Sequence, residues 1–417
     1  MKIRAITLGQ NIRDRSKDLK KIKENLIKIQ SLKQSFEKTN IEVQYIRFAG
    51  EPFSKQSDVN KDEILANRHE ILTEMDSLVE EELLGIYSFC PGLCDQSTPL
   101  TISQKMIIDE LPILMKSHSN MFSSLQVAST QQGINFEAVK AGAQIIQHLS
   151  TPDPFQNVQF AVTFNVKPNT PFFPSAYHQG MAPKLSIALE AADEMVKILE
   201  NYPPTQYSLS KIKEQIHNRF EAIYDQIANI AAPFCEENKI TFEGIDFSPA
   251  PYPTQEKSIG TVLEKLQFSH FGETGSVFAV GFLTEALQST NRPKIGFSGF
   301  MQPLLEDYTI SLRNNEDKVD ISKLVLLSTM CGLGLDCIPI PGDTDIESIE
   351  LLLLDLAMIS IRLKKPLTAR LMPIPNKKAG ESTEFKFEFF TDSKICQLKR
   401  SHSKINDISI QNISYNF

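Results

Sequence analysis

Lys2-Ile-Arg-Ala-Ile-Thr-Leu8 opens the chain, and Ile41-Glu-Val-Gln-Tyr-Ile-Arg-Phe48 returns to the same kind of pattern. Both segments are short, rich in β-branched residues and alternating, with Ile3 and Ala5 set against Arg4 and Ile6 in the first, so both read as strands. Between them Leu19, Ile22, Leu26, Ile29, Leu32 and Phe36 recur at three- and four-residue steps, which places them on one face of a helix. Strand, helix and strand in that order imply a parallel pair joined by a right-handed crossover.

The alternation continues outward from this unit. Helices are expected over 62–84, 102–116, 136–148, 276–287, 322–330 and 345–363, and strands over 84–89, 123–128, 158–164, 241–247, 294–300, 335–340 and 367–372. Two long amphipathic helices are expected at Lys184–Leu199 and Leu209–Phe234, a pair that reads as an insertion or a dimer arm. Roughly nine or ten strands alternate with helices, and no linker interrupts them, so one α/β unit over 1–417 is favoured over two. The residues from 382 onward, with Phe385, Phe387 and Phe389, read as a tail that packs on this unit as an edge strand or hairpin. Thr344-Asp-Ile-Glu347 fits a capping box that starts the helix after Pro341-Gly342.

Composition excludes several function classes. The 417 residues are 41% hydrophobic and 23% charged, with a net charge of −8 and no dense Lys/Arg block, so nucleic acid is not an expected partner. No run reaches the roughly 18 apolar residues of a membrane-spanning helix, and the opening residues are too charged for a signal peptide. Six scattered cysteines without a framework spacing point to free thiols and a cytoplasmic setting.

The densest chemistry lies in Cys331-Gly-Leu-Gly-Leu-Asp336-Cys337-Ile-Pro-Ile-Pro-Gly-Asp343-Thr344. A thiol beside two glycines suits a nucleophile or redox centre with Asp336 or Asp343 nearby; the competing interpretation is a buried packing turn. A second cluster, Asn165-Val-Lys-Pro-Asn169 to Tyr177-His178, follows a strand and is stiffened by prolines, with His178 as the acid/base candidate. Asp246 and Ser298 sit at other strand ends, and Gly275-Ser276 opens a helix whose amides could hold an anion. Arg370 is a charge inside a strand, placed either to grip a substrate carboxylate or to pair with an internal acid. Glu306, Asp336 and Asp343 are carboxylates that a divalent cation could use; no cofactor motif is evident.

Taken in order, these blocks resemble a known family. Ser129-Thr-Gln-Gln-Gly133-Ile-Asn135, Asn165…His178, Ile245-Asp246-Phe-Ser248…Pro253, Gly296-Phe-Ser298-Gly…Glu306-Asp307, Cys331…Thr344 and Thr368-Ala-Arg370…Pro373 are similar to those of the uncharacterised family catalogued as domain of unknown function 711. That family looks related to the pyruvate formate-lyase and anaerobic ribonucleotide reductase superfamily. The resemblance implies a ten-stranded α/β barrel with a cysteine on an interior loop, the position Cys331 would take. It also implies a homo-oligomer and, from some bacterial relatives, an ACT-domain regulatory partner. Past Gly342 the only glycine is Gly380, in Lys-Lys-Ala-Gly-Glu, which does not fit a glycyl-radical motif. The expectation is therefore a barrel that binds a small carboxylated metabolite without glycyl-radical chemistry. It is either an enzyme (lyase, transferase or hydrolase) using Cys331, His178 and Asp246, with Asn165, Asn169, Ser298, Arg370, Asp343, Gly275 and Ser276 on the substrate, or a non-catalytic metabolite sensor.

Overall fold

The computed structural model describes residues 1–55, 61–95, 99–201 and 208–399. Its strands are β1 (Lys2–Gln10), β2 (Val43–Gly50), β3 (Ile86–Ser88), β4 (Met121–Ser129), β5 (Gly133–Ile134), β6 (Phe160–Phe164), β7 (Lys184–Glu190), β8 (Thr241–Ala250), β9 (Gly334–Pro341) and β10 (Leu367–Ile374). They form one mixed sheet in the order β8-β7-β1-β2-β3-β4-β6-β10-β9, with the two-residue β5 paired to β4. β1, β2, β3, β4 and β6 are mutually parallel, as are β7 with β8 and β9 with β10. The two runs meet antiparallel at β1/β7 and β6/β10.

The two strands at the ends of that order share a neighbour. Segment 294–304 forms a parallel bridge to β8 at Ile245–Lys294 and another to β9 at Pro303–Asp336. Ile295 N–H donates to the Ile245 carbonyl at 3.3 Å, and Leu304 N–H donates to the Asp336 carbonyl at 3.0 Å. The segment thus serves as a tenth member and closes the sheet on itself as a barrel, two parallel halves joined at two antiparallel seams. Closure removes the unpaired edges that β8 and β9 would otherwise present.

Helices cover the outside. The helix Arg15–Glu37 starts at Asp14, whose side chain accepts from Lys17 N–H, and buries Ile22, Leu26, Ile29, Leu32 and Phe36, the face read from the sequence. Each such side chain contributes roughly 1.5–3 kcal/mol through burial. The helix Leu209–Asn238 buries an equally regular stripe, Ile212, Ile216, Phe220, Ile223, Ile227, Ala231 and Cys235.

Two local expectations are corrected. Residues 184–190 are the strand β7, not the start of a long helix; the helix that follows is Ala192–Glu200. β7 lies between β1 and β8 with both faces covered, so Leu185, Ile187, Ala188 and Leu189 are all buried and the alternation that marks a strand is lost. The stretch 184–234 thus opens with a stave of the barrel, and its helices are the short Ala192–Glu200 and the long Leu209–Asn238. The last helix, Ile346–Leu363, is capped by Asp345, which accepts from Ser348 N–H, while Thr344 Oγ1 donates back to the Pro341 carbonyl at 2.7 Å. A carboxylate one residue later takes the capping role expected of Thr344. Phe385, Phe387 and Phe389 lie in an irregular loop whose arms meet at an antiparallel Ser382–Lys394 bridge. No helix among the described residues is long and apolar enough to cross a membrane.

Candidate functional site

Two irregularities in the barrel wall build the site. Between β1 and β7 the register shifts between Ile3 and Ala5, leaving Arg4 as an extra residue on β1. Between β10 and β9, Ala369 faces Leu335 but Leu371 faces Ile338, so Asp336 and Cys337 together oppose Arg370. A bulge of this kind turns side chains out of the regular alternation and frequently stands beside a working site. Cys337 adopts φ 50° to make the turn.

The re-aimed side chains meet the closing segment at Glu306. Arg370 Nε donates to Asp336 Oδ1 at 2.5 Å, Nη2 to Glu306 Oε1 at 2.8 Å, and Nη1 to the Val158 carbonyl at 3.2 Å. Arg4 Nη2 reaches Glu306 Oε2 at 3.1 Å and Nη1 the Pro251 carbonyl at 3.2 Å. The Cys337 thiol donates to Glu306 Oε1 at 3.3 Å. Burial alone would raise the Glu306 carboxyl, but Arg370 and Arg4 bring it below its ordinary value. Burial, with Glu306 adding to it and Arg370 opposing, lifts Asp336 above its ordinary value. Burial also pushes the Cys337 thiol well up, so it stays protonated. Glu306, Asp336 and Cys337 lie close enough together to suggest a cation site. The positive charge that bridges the two carboxylates is the Arg370 guanidinium.

Arg4, Glu306, Asp336 and Arg370 line a cavity of about 230 Å³ inside the barrel, to which β1, β2, β3, β4, β8, β9, β10 and the closing segment all contribute. Three guanidiniums, Arg4, Arg47 and Arg370, face two carboxylates, Glu306 and Asp336. Arg4 also lies 3.8 Å from Glu190, which is shared with Lys2 and Lys257. Arg47 differs from the other two. It is 7% exposed, and no hydrogen bond or ion pair to it occurs among the described residues. Its guanidinium lies over the rings of Phe173 and Tyr45, 5.1 and 5.9 Å from the centroids. Burial, then repulsion from Arg4, lowers its pKa to about 9, which leaves it charged at neutral pH. Glu306 attracts it only from beyond ion-pair distance, and a buried, charged guanidinium that makes no ion pair is a costly arrangement that an anion would relieve.

The family model described as Uncharacterised ACR (DUF711) matches residues 1–393. The chain belongs to this family. A UPF0210 protein of Methanocaldococcus jannaschii is 27% identical over 414 residues, covering 92% of this chain and 88% of the relative. One from Clostridium perfringens is 28% identical over 399 residues, with the same coverage of each chain. A third, from Oenococcus oeni, is 28% identical over 299 residues, covering 69% and 65%. The DUF711 match spans the whole cavity, from Arg4 to Phe389.

Of the residues singled out in the sequence, Arg370, Asp336 and Glu306 come together in this cavity. The others lie elsewhere. Cys331 is fully buried in the main apolar core, its sulphur accepting from Gly334 N–H at 3.2 Å and its carbonyl accepting from Lys365 Nζ. The glycine beside it serves a backbone crossing: a Cβ on Gly332 would stand 2.8 Å from the Gly299 Cα, and Gly332 N–H donates to the Phe300 carbonyl at 2.7 Å. Asp246 is completely buried and accepts from Ser248, Phe297 and Ser298 N–H at 2.8–2.9 Å. Burial raises its pKa while those three amides pull it down. Ser298 Oγ accepts from Phe247 N–H and donates to the Ile295 carbonyl. Asp246 and Ser298 therefore fasten the closing segment to β8.

His178 is buried, its backbone N–H on the Gly50 carbonyl and Nε2 3.0 Å from the Gly180 carbonyl. Asn165 accepts from Thr130 N–H and donates to Ser360 Oγ, and Asn169 donates to Glu243. Gly275 caps the helix Ser276–Gln288, and Ser276 Oγ bonds within the preceding turn. Asp343 is exposed in the turn after β9. Sequence reasoning missed Arg4 and Arg47, although each carries the signal that marked Arg370, a charge inside a strand pattern.

Proposed function

We propose that this chain binds a small carboxylated metabolite inside the barrel, its carboxylate pairing with Arg47. Arg47 itself carries the reading: it is buried, charged, lines the cavity and makes no hydrogen bond or ion pair among the described residues. Arg4 and Arg370 are paired with Glu306 and Asp336, so their charges are met within the protein and Arg47 is the guanidinium left for the ligand. Six free, buried cysteines support a reducing, cytoplasmic setting.

The test is chemical denaturation with a panel of carboxylates. A member present at about 100 times its Kd should add about 2.7 kcal/mol to the unfolding free energy. That gain should vanish in Arg47→Met. Equal stabilisation of Arg47→Met would overturn the reading. Cys331→Ala should bind the same ligand unchanged, because no cysteine or histidine lines the cavity among the described residues; calorimetric titration of that variant checks this. A second reading, transformation of the ligand, draws on Asp336 and Glu306, two carboxyls facing one cavity with pKa values pushed apart. Recovery of a modified product, lost in Asp336→Asn, would establish it, and recovery of unchanged ligand would leave binding alone.

A further inference from the structure

We infer that the ligand is a monocarboxylic acid bearing a single aromatic ring on a short linker, an inference that rests on the carboxylate reading above. Three features of the cavity carry it. The first is charge. Among the side chains that line the cavity, three guanidiniums face two carboxylates. Arg4 and Arg370 are ion-paired, and Glu190 beside Arg4 is shared with Lys2 and Lys257, so Arg47 is the one positive charge left for the ligand to neutralise. A carboxylate matches it, whereas a phosphate monoester near −2 would leave excess negative charge in a buried site beside Glu306 and Asp336.

The second is the aromatic lining. Phe122 of β4, Phe172 and Phe173 of the segment between β6 and β7, and Phe297 of the closing segment supply four rings, and Phe387 and Phe389 add two from the C-terminal segment. These six rings present edges and faces rather than hydrogen-bonding groups. Ring pairs favour offset or edge-to-face contact at centroid separations of about 4.5–7 Å. Phe122 and Phe173 already stand 5.8 Å apart and tilted, and Phe387 and Phe389 stand 5.2 Å apart. A purely polar acid would desolvate against this lining and gain nothing from it. The third is size. An apolar cavity of about 150 Å³ takes up benzene. The 230 Å³ here leaves room for one ring, a carboxylate and a short connecting chain.

Isothermal titration of the full chain with 3-phenylpropionate, propionate and phenyl phosphate separates the features. The ring-bearing acid should bind at least tenfold more tightly than either of the others. Arg47→Met should weaken it at least tenfold. Phe387→Ala, at a half-buried position packed on Phe155, Phe389 and Phe390, should narrow the gap between 3-phenylpropionate and propionate, with urea denaturation of the variant confirming that it is folded. If propionate binds as well as 3-phenylpropionate through Arg47, the aromatic part of the inference is overturned; if phenyl phosphate does, the monocarboxylate part is overturned; in both cases the anion reading stands. If none of the three binds in an Arg47-dependent way, the aromatic inference is overturned here as well, and the wider carboxylate panel decides the anion reading.

Discussion

Arg370→Ala should lower the unfolding free energy by about 3–5 kcal/mol, because it leaves two buried carboxylates without the cation that lies between them. Arg370 donates in three directions at once, to Asp336, Glu306 and the Val158 carbonyl, and all three acceptors are shielded from water. Arg370→Lys retains the charge but loses the planar fork, so it should fall between wild type and Arg370→Ala. The pH dependence should reverse as well. In the wild type the folded Glu306 carboxyl lies below its unfolded value, so its contribution is present at neutral pH and lost as pH falls through the folded pKa. Without Arg370, burial lifts Asp336 further above its unfolded value, and Glu306 is left with Arg4 as the cation beside it. The penalty is then fully present above the raised pKa and disappears as pH falls toward the ordinary carboxylate range near 4. Urea denaturation at pH 7 and pH 5 reads both effects. Arg370→Ala should gain on the wild type as the solution is acidified. A loss below about 1 kcal/mol at pH 7 would mean that water, not Arg370, holds these carboxylates.

The α/β class and most of the staves were legible because the helices bury one regular face each, as in the stripe Ile22 to Phe36, and that periodicity survives in the sequence. β7 was not, because a stave covered on both sides carries Leu185, Ile187, Ala188 and Leu189 without the alternation of a half-buried strand. The site was half legible for a related reason. Arg370 stood out as a charge in a strand, and Asp336 and Glu306 as carboxylates that a cation could use. Their convergence depends on register shifts at Arg4 and at Asp336–Cys337, which no local pattern announces. Cys331 drew notice because it stands beside two glycines. One of those, Gly332, lets two backbones cross at Gly299, a packing demand that looks the same in sequence as a ligand-approach loop.

Barrel closure itself should fail in Asp246→Ala, with a loss of about 4 kcal/mol or more. The Asp246 carboxylate satisfies three buried backbone N–H groups, those of Ser248, Phe297 and Ser298, and two of these lie on the closing segment. A buried donor left unsatisfied costs about 1–3 kcal/mol each. Asp246→Asn keeps the shape but turns an amide NH2 toward donors that need an acceptor, so it should lose about 1–3 kcal/mol. Gly296→Ala approaches the same contact from the other side. Its φ of 62° suits glycine, and a methyl there would stand 2.1 Å from Asp246 Oδ2. Hydrogen exchange localises the damage. Amides of 294–304 should exchange faster in both Asp246→Ala and Gly296→Ala, while β1 and β2, remote from the seam, keep their protection. Phe297, Met301 and Pro303 of that same segment, and Glu306 just past it, line the cavity, so carboxylate affinity should fall in step with the exchange. Uniform loosening of all strands would instead mark Asp246 as a general core residue. Full affinity in a variant whose segment exchanges freely would mean that the cavity does not need the tenth stave.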